Sequence, residues 1–380
     1  MSRVRILFVT WDGGGNVIPL LALAPRLAAR GWAVHALGPP SLADRFTGGG
    51  IAYAARDAAD PWDPTVMATD VRDEVGRIGA DVALVDYMLP GALCGAESTG
   101  RPTAALVHTL YRALLDDEIG GAPGPMAMAA SVDGVNAARR PLGLDDVTDL
   151  GDLLARCARV LVTSPAELDA PRDGADAGNV RYVGALLEPA GADAGWTPQP
   201  SGADGPDRRP RVIVSLGTTP MDEAPVLQRV LAALADLPVD VVATVGAHLD
   251  PTEIAARAPA NAAITGYVRH AALLPGAALV VTHAGLGTVL AGLAHGVPMV
   301  CLPLGRDQPD NAAAVARVGA GCVLPHDAPV DDLRTALTDA LHAPAHRAAA
   351  TAIAATMATH AGLAEDELEA LLPAAADPGT

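Results

Sequence analysis

VTHAGLGTVLAGLAHGVP, residues 281–298, is the stretch on which the fold turns. With ALVV before it, an apolar run of strand length ends at His283, two glycines follow one residue apart, and a small-residue helical pattern begins near Leu286 and stops at Gly-Val-Pro. A strand that passes straight into a helix through a glycine turn is the repeating unit of a parallel sheet. The first amides of such a helix have no partner within it, and its dipole adds positive potential, so an anion binds there readily. His283 stands beside that position, where it can donate to a phosphate oxygen or satisfy a turn carbonyl.

Outward from this unit the same alternation recurs. RVIVSLG, a helix from about 222, VDVVATVG, NAAITGY, ALVVTH, the helix after Gly285, PMVCLP, a helix near 309–318 and GCVLP form one α/β unit. In the first half RILFVT, VIPLLALAPRLAARG, AVHALG, a helix near 41–48, IAYAA, a helix to about 79, DVALVD, a helix from Pro90 and TAALVH form another. Continuous apolar strands between helices mean sheets covered on both faces. The expected organisation is a domain over 1–195, a linker over 196–210 within the Pro-, Gly- and Asp-rich run LLEPAGADAGWTPQPSGADGPDRRP, a second domain over 211–360, and a helix and tail over 361–380. The fold class is α/β, with two Rossmann-like doubly wound domains facing across a cleft lined by the carboxyl ends of their strands.

Composition narrows the partners. The net charge of −18 and the absence of lysine give no basic face, which argues against nucleic acid and an anionic membrane. Cys94, Cys157, Cys301 and Cys322 are far apart without metal spacing, so reduced thiols and no metal site are expected. The basic N-terminus leads into only a strand-length apolar run, unlike a secretory signal, and no apolar run approaches the roughly 18 residues of a membrane span. A cytoplasmic protein without stable membrane insertion is expected. Oligomeric state is open, a homodimer included.

Four rim elements of the second half carry chemistry. They are the 281–288 turn, SLGTT at 215–219 with its two hydroxyls Thr218 and Thr219, GYVRHAALLP at 266–275 with Tyr267 for base stacking, and the run that delivers Asp307 and Gln308 after PMVCLP. An acid beside an amide can hold vicinal hydroxyls, as a sugar demands. The pattern from VSLGTT through GYVRHAALLP to THAGLGTVLAGLAHGVPMVCLPLGRDQPDNA resembles the nucleotide-sugar half of Leloir glycosyltransferases of GT-B fold, and more narrowly the bacterial enzymes that glycosylate natural products. FVTWDGGGNVIPLLALAPRLAARG resembles that family's opening, so the likeness spans the chain.

The resemblance implies an inverting transfer of a hexose to a small-molecule aglycone, with no cofactor beyond the donor. It implies that His283, Ala284, Gly285, Gly287 and Thr288 bind the diphosphate with help from Thr218 or Thr219. By the same likeness Tyr267 and Val268 bracket the base, and Asp307 and Gln308 hold the sugar. Relatives often have Glu, bonded to the ribose of UDP, where this chain has Ala291, which favours a dTDP-sugar, with a UDP-sugar as the alternative. Where the family's turn carries a His or Asp as general base, this chain has Asn16, and a neutral amide takes no proton. The base is then Asp12 or His108, with Asn16 orienting the acceptor. Asp86 reads as a structural or acceptor-loop carboxylate, and Trp11, Tyr111, Met126 and Met128 as packing or as walls of an apolar acceptor pocket. Three rivals stay open: an NAD(P)-dependent oxidoreductase, although Leu290 breaks the dinucleotide fingerprint; a nucleotide-sugar-binding partner without catalysis; and a 2-epimerase of the same fold.

Overall fold

The apolar strand runs are buried on both sides, and their period of two sorts them between two layers. In β1 (Arg5–Val9) Leu7 and Val9 join one cluster, with Ala83, Val85, Ala105 and Val107, while Ile6 and Phe8 join the other, with Val82, Leu84, Ala104 and Leu106. Only a central sheet with helices on each face uses an unbroken hydrophobic run in this way. The structure is a computed structural model that describes residues 3–56, 60–115, 131–169, 178–188, 209–217, 221–246 and 248–373.

The chain divides into two compact units. The first contains β1, β2 (Ala33–Gly38), β3 (Ala52–Ala55), β4 (Val82–Asp86), β5 (Thr103–Val107), β6 (Arg159–Val162) and β7 (Val180–Tyr182), all parallel, in the order β3-β2-β1-β4-β5-β6-β7. The second contains β8 (Arg211–Ser215), β9 (Asp240–Thr244), β10 (Ala262–Thr265), β11 (Leu279–Thr282), β12 (Met299–Cys301) and β13 (Gly321–Val323), also parallel, in the order β10-β9-β8-β11-β12-β13. In each sheet the order reverses direction once: between β1 and β4 in the first unit, and between β8 and β11 in the second. Connections leaving such a pair depart to opposite faces, opening a crevice at the carboxyl ends of the strands.

Two features refine the expected boundaries. The C-terminal helix Leu363–Glu369 is part of the first unit, not a separate appendage. Ala364 and Leu368 pack with Leu23 and Leu27, and Arg30 bridges Asp366 at 2.7 Å and Glu369 at 3.1 Å. Residues 165–169 belong instead with the second unit, where the Arg317 guanidinium donates to the carbonyls of Glu167 and Leu168 at 3.1 and 2.6 Å. Most of the expected linker lies outside the described residues.

The helices behind the first crevice pack closely. On Pro90–Glu97, which follows β4, Gly91 and Gly95 sit one turn apart, and a Cβ at either would collide with the backbone of Pro64 or Ala68 on Pro64–Ile78. That contact fixes the helix leaving the end of β4, and with it the loop that starts at Asp86. Below it Arg139, fully buried, is satisfied by the Asp145 carbonyl at 2.5 Å and by Glu97 through two bonds of 2.7 and 3.0 Å.

Candidate active site

The crevice of the first unit gathers three of the residues singled out in the sequence. Asn16 lies in the turn Gly15–Val17 after β1, Asp86 is the last residue of β4, and His108 follows β5. Asp86 has no solvent exposure, and its carboxylate accepts from the Asn16 side-chain amide at 3.0 Å and the Met88 backbone amide at 3.0 Å. His108 Nε2 lies 3.0 and 3.1 Å from the two carboxylate oxygens. With two amides already donating to the carboxylate, the network assigns the imidazole proton to Nε2. The Tyr87 ring packs against the imidazole with centroids 5.1 Å apart.

Asp86 is thus the partner of His108, a carboxylate bonded within the protein. Asn16 is bonded within the protein as well. Its amide donates to Asp86 and, at 2.9 Å, to the Trp11 carbonyl, while its oxygen accepts from the Gly13 amide at 3.0 Å. Both of its amide hydrogens are committed inside the protein, and its oxygen, with one lone pair taken by Gly13, keeps a second. Asp12 stands apart, exposed, and accepts from the Ser41 hydroxyl at 2.7 Å. Nearby the pKa of the Tyr53 phenol is pushed up, first by burial and then by Asp12. Trp11 packs edge-on against Trp62 at 5.4 Å and covers Gly13, where a Cβ would strike the indole. Tyr111 is buried in the core, whereas Met126 and Met128 lie outside the described residues.

The crevice of the second unit is built from the loops after β8, β11 and β12. The helix Leu286–Ala294 starts at Gly285, its N-cap, with no side chain capping the first turn. His283 lies between two glycines: an ideal Cβ at Gly285 would sit 2.5 Å from the imidazole Nε2, and one at Gly217 3.0 Å from it. The glycines therefore make room for the ring, a role beyond the backbone approach that the sequence suggested. Gly287 is different, exposed and with open space where a Cβ would stand. Burial lowers the pKa of His283, with the Ser215 backbone, Asp307 and Glu223 opposing and Arg306 reinforcing. Nδ1 is buried and makes no hydrogen bond of good geometry among the described residues.

Three non-glycine residues have positive φ in the described chain: Asp222 at 57°, Ala284 at 66° and Arg306 at 58°. They fall one to each of the loops after β8, β11 and β12. Such strain, on the order of 1–2 kcal/mol per residue, persists where surrounding contacts impose it, and it concentrates at ligand sites. One of those contacts comes from Asn311, which the sequence reading passed over. Its amide donates to the Ala284 carbonyl at 3.0 Å and to Asp307 at 2.9 Å, tying the His283 turn to the acid. The available signal was the spacing of four from Asp307 on the helix Gln308–Arg317, which puts both residues on one face.

Gln308 is buried, and its oxygen accepts from the amides of Leu304 and Gly305 at 2.7 and 3.1 Å. It shapes the loop that presents Asp307. Tyr267 is 61% exposed, with its hydroxyl 3.3 Å from Glu188, whereas Val268 is buried. Thr288 is buried in the first turn of the 286–294 helix. Thr218 and Thr219 lie outside the described residues. Glu223, also absent from the sequence reading, is buried at the N-cap of Ala224–Leu234 with a carboxylate oxygen in contact with His248 Nε2. Among the described residues no three His, Cys, Asp or Glu side chains are grouped to hold a metal, and no helix is long and apolar enough to cross a membrane.

Comparison with known proteins gives this geometry its family. Residues 228–367 match the erythromycin biosynthesis protein CIII-like C-terminal domain. The L-demethylnoviosyl transferase of Streptomyces niveus is 29% identical over 367 residues, which cover 87% of each chain. The crystal structure of the glycotransferase of kitacinnamycin superposes with a TM-score of 0.83 at 26% identity, over 98% of this chain and all of that one. The chain is a glycosyltransferase of GT-B fold, similar to the bacterial enzymes that glycosylate natural products. Other curated relatives of this glycosyltransferase reach 36–38% identity, but there the match spans only 32–35% of their length. The glycosyltransferase VinC, solved in complex with dTDP, shares the fold at a TM-score of 0.74 and 21% identity, over 97% of this chain and 99% of its own.

Proposed function

We propose that this glycosyltransferase moves a hexosyl or deoxyhexosyl group from a dTDP-sugar to a nucleophilic atom of a small natural-product aglycone, with inversion at the anomeric carbon. The observation that carries the reading is the second-unit crevice. There His283 is wedged between Gly217 and Gly285 beside the uncapped first turn of the 286–294 helix, and Asn311 links that turn to Asp307. The amides and the imidazole receive the diphosphate, while Asp307 faces hydroxyls of the sugar. Ala291 leaves no carboxylate for a ribose 2′-hydroxyl, which favours dTDP over UDP. The relative solved with dTDP supports the same choice.

The reaction is one displacement. A lone pair of the acceptor atom attacks the anomeric carbon, the bond from that carbon to the diphosphate oxygen breaks with its electron pair going to the diphosphate, and the acceptor's proton passes to a base. His283 and the fixed amide dipoles meet the charge growing on the leaving group, so the proposal asks for no metal. Neutral while the site is empty, the imidazole charges when the diphosphate arrives.

Titration calorimetry with dTDP, UDP and NAD tests the reading. dTDP should bind more tightly than UDP, NAD should not bind, and His283→Ala should weaken dTDP by about 10- to 100-fold while the protein stays folded. A folded His283→Ala protein with the parent affinity would contradict the assignment. The anomeric configuration of the product, read by NMR, tests inversion.

A further inference from the structure

The loop after β12 turns through Arg306 at φ 58°, one residue after Gly305 at φ 156°. Glycine or asparagine would take a left-handed turn with less strain, so the arginine stands there against the preference of its own backbone. We propose that Arg306 is a donor-binding residue whose guanidinium takes the phosphate to which the sugar is bonded. The proposal rests on the glycosyl-transfer reading above and adds a permanent cation to it.

The turn is built from inside. Buried Gln308 accepts from the amides of Leu304 and Gly305 at 2.7 and 3.1 Å, and its own amide donates to the Met221 thioether at 3.2 Å. Gly305 lies against the same methionine, where a Cβ would stand 3.3 Å from Cε. These contacts fix the chain before Arg306, and the helix Gln308–Arg317 fixes it after. The next residue, Asp307, accepts from Asn311 at 2.9 Å, and Asn311 donates at 3.0 Å to the carbonyl of Ala284, in the His283 turn. Arg306 is therefore anchored beside the turn that receives the diphosphate. The side chain is exposed, and among the described residues its guanidinium makes no hydrogen bond or ion pair. Its charge reaches His283, whose pKa it lowers.

The electrostatics of the crevice call for such a cation. The chain carries a net charge of −18, and the other charged side chains that act on His283 are the acids Asp307 and Glu223. An anionic diphosphate entering there meets two carboxylates, with backbone amides and a neutral imidazole to oppose them. A guanidinium stays charged at every working pH and offers two parallel N–H donors to two phosphate oxygens. Asp307 fixes the position along the diphosphate. That acid faces hydroxyls of the sugar in the reading above, and the sugar is bonded to the distal phosphate, so the preceding residue stands at that end. When the bond from the anomeric carbon to the distal phosphate breaks, its electron pair goes to an oxygen of the group that Arg306 holds.

The test is calorimetry of dTDP and dTMP with the full chain, in the parent and in Arg306→Gln, Arg306→Lys and Arg306→Gly. Arg306→Gln should weaken dTDP by about 10- to 100-fold, and dTMP, which lacks the distal phosphate, by less than about threefold. Arg306→Lys should recover part of the dTDP affinity, since it keeps the charge and loses the fork. Added salt should weaken dTDP more steeply in the parent than in Arg306→Gln. Arg306→Gly should match Arg306→Gln in dTDP affinity while melting no lower than the parent, because glycine suits the left-handed turn. A folded Arg306→Gln protein with the parent affinity for dTDP, or one that loses dTMP and dTDP equally, would overturn the proposal and leave the donor reading standing. A parent protein that binds no dTDP sinks the donor reading itself, and this inference with it.

Discussion

Replacing Gly285 by alanine isolates what the glycine next to His283 is for. The residue has φ −58° and ψ 134°, a conformation open to any amino acid, so the new methyl costs nothing in backbone strain. It would stand 2.5 Å from the imidazole Nε2 and 2.9 Å from Cε1, about 1 Å inside ordinary contact. The ring has little room to move, because Gly217 is also close to it, with an ideal Cβ there only 3.0 Å from the same Nε2. Overpacking of this kind costs about 1–3 kcal/mol of stability. A ring displaced by about 1 Å also loses its bond to the diphosphate, a charge-assisted contact worth about 1.5–3 kcal/mol, or roughly 10- to 150-fold in Kd. The assay is a double-mutant cycle with Gly285→Ala and His283→Ala, read by chemical denaturation and dTDP calorimetry. In the His283→Ala background the alanine at 285 should be neutral, or stabilising by about 0.4–1 kcal/mol. Equal effects in both backgrounds would refute the account, since the methyl would then be acting on something other than the ring. Gly287→Ala is the companion measurement. With open space at that position it should raise helix stability by up to about 1 kcal/mol, and any loss of dTDP affinity then measures how closely the phosphates approach the bare backbone.

Three further outcomes are expected. The pKa of His283 is held down chiefly by burial, and diphosphate raises it, so dTDP affinity should increase as pH falls from neutrality and level off once the empty site is itself protonated; Asp307, Glu223, Arg306 and His270 share its surroundings, and calorimetry in buffers of different ionisation enthalpy should register proton uptake on binding. Asn311→Leu removes the bonds to Ala284 and Asp307 and should cost about 1–3 kcal/mol in urea denaturation while raising the KM for the donor. Glu97→Gln leaves the buried Arg139 guanidinium without its carboxylate and should cost about 3 kcal/mol of stability, with dTDP affinity unchanged.

Much of the donor side was legible along the chain because its parts are local. The strand ending at Thr282, the turn through Gly285 and the helix from Leu286 are contiguous, and each is dictated by apolar run, glycine and period. Asp307 and Gln308 arrive by the same rule after β12, although Gln308 proves to serve its own loop through the amides of 304 and 305. Asn311 was readable only as a spacing, and the Glu223–His248 pair not at all, since no sequence pattern joins a helix cap to a loop after another strand.

The acceptor side shows the other limit. The sequence by itself determined that the chain alternates strands and helices, that each strand is buried on both faces, and that a histidine, an acid and an amide stand at strand ends, because these follow from side-chain period and turn chemistry within a few residues. Only the tertiary structure decided that Asn16, Asp86 and His108, from three different strand ends, share one carboxylate at hydrogen-bond distance. The order of strands places β1 beside β4 and β4 beside β5, and strand order is set by long-range packing of whole helices and sheet faces, a choice that no local pattern encodes.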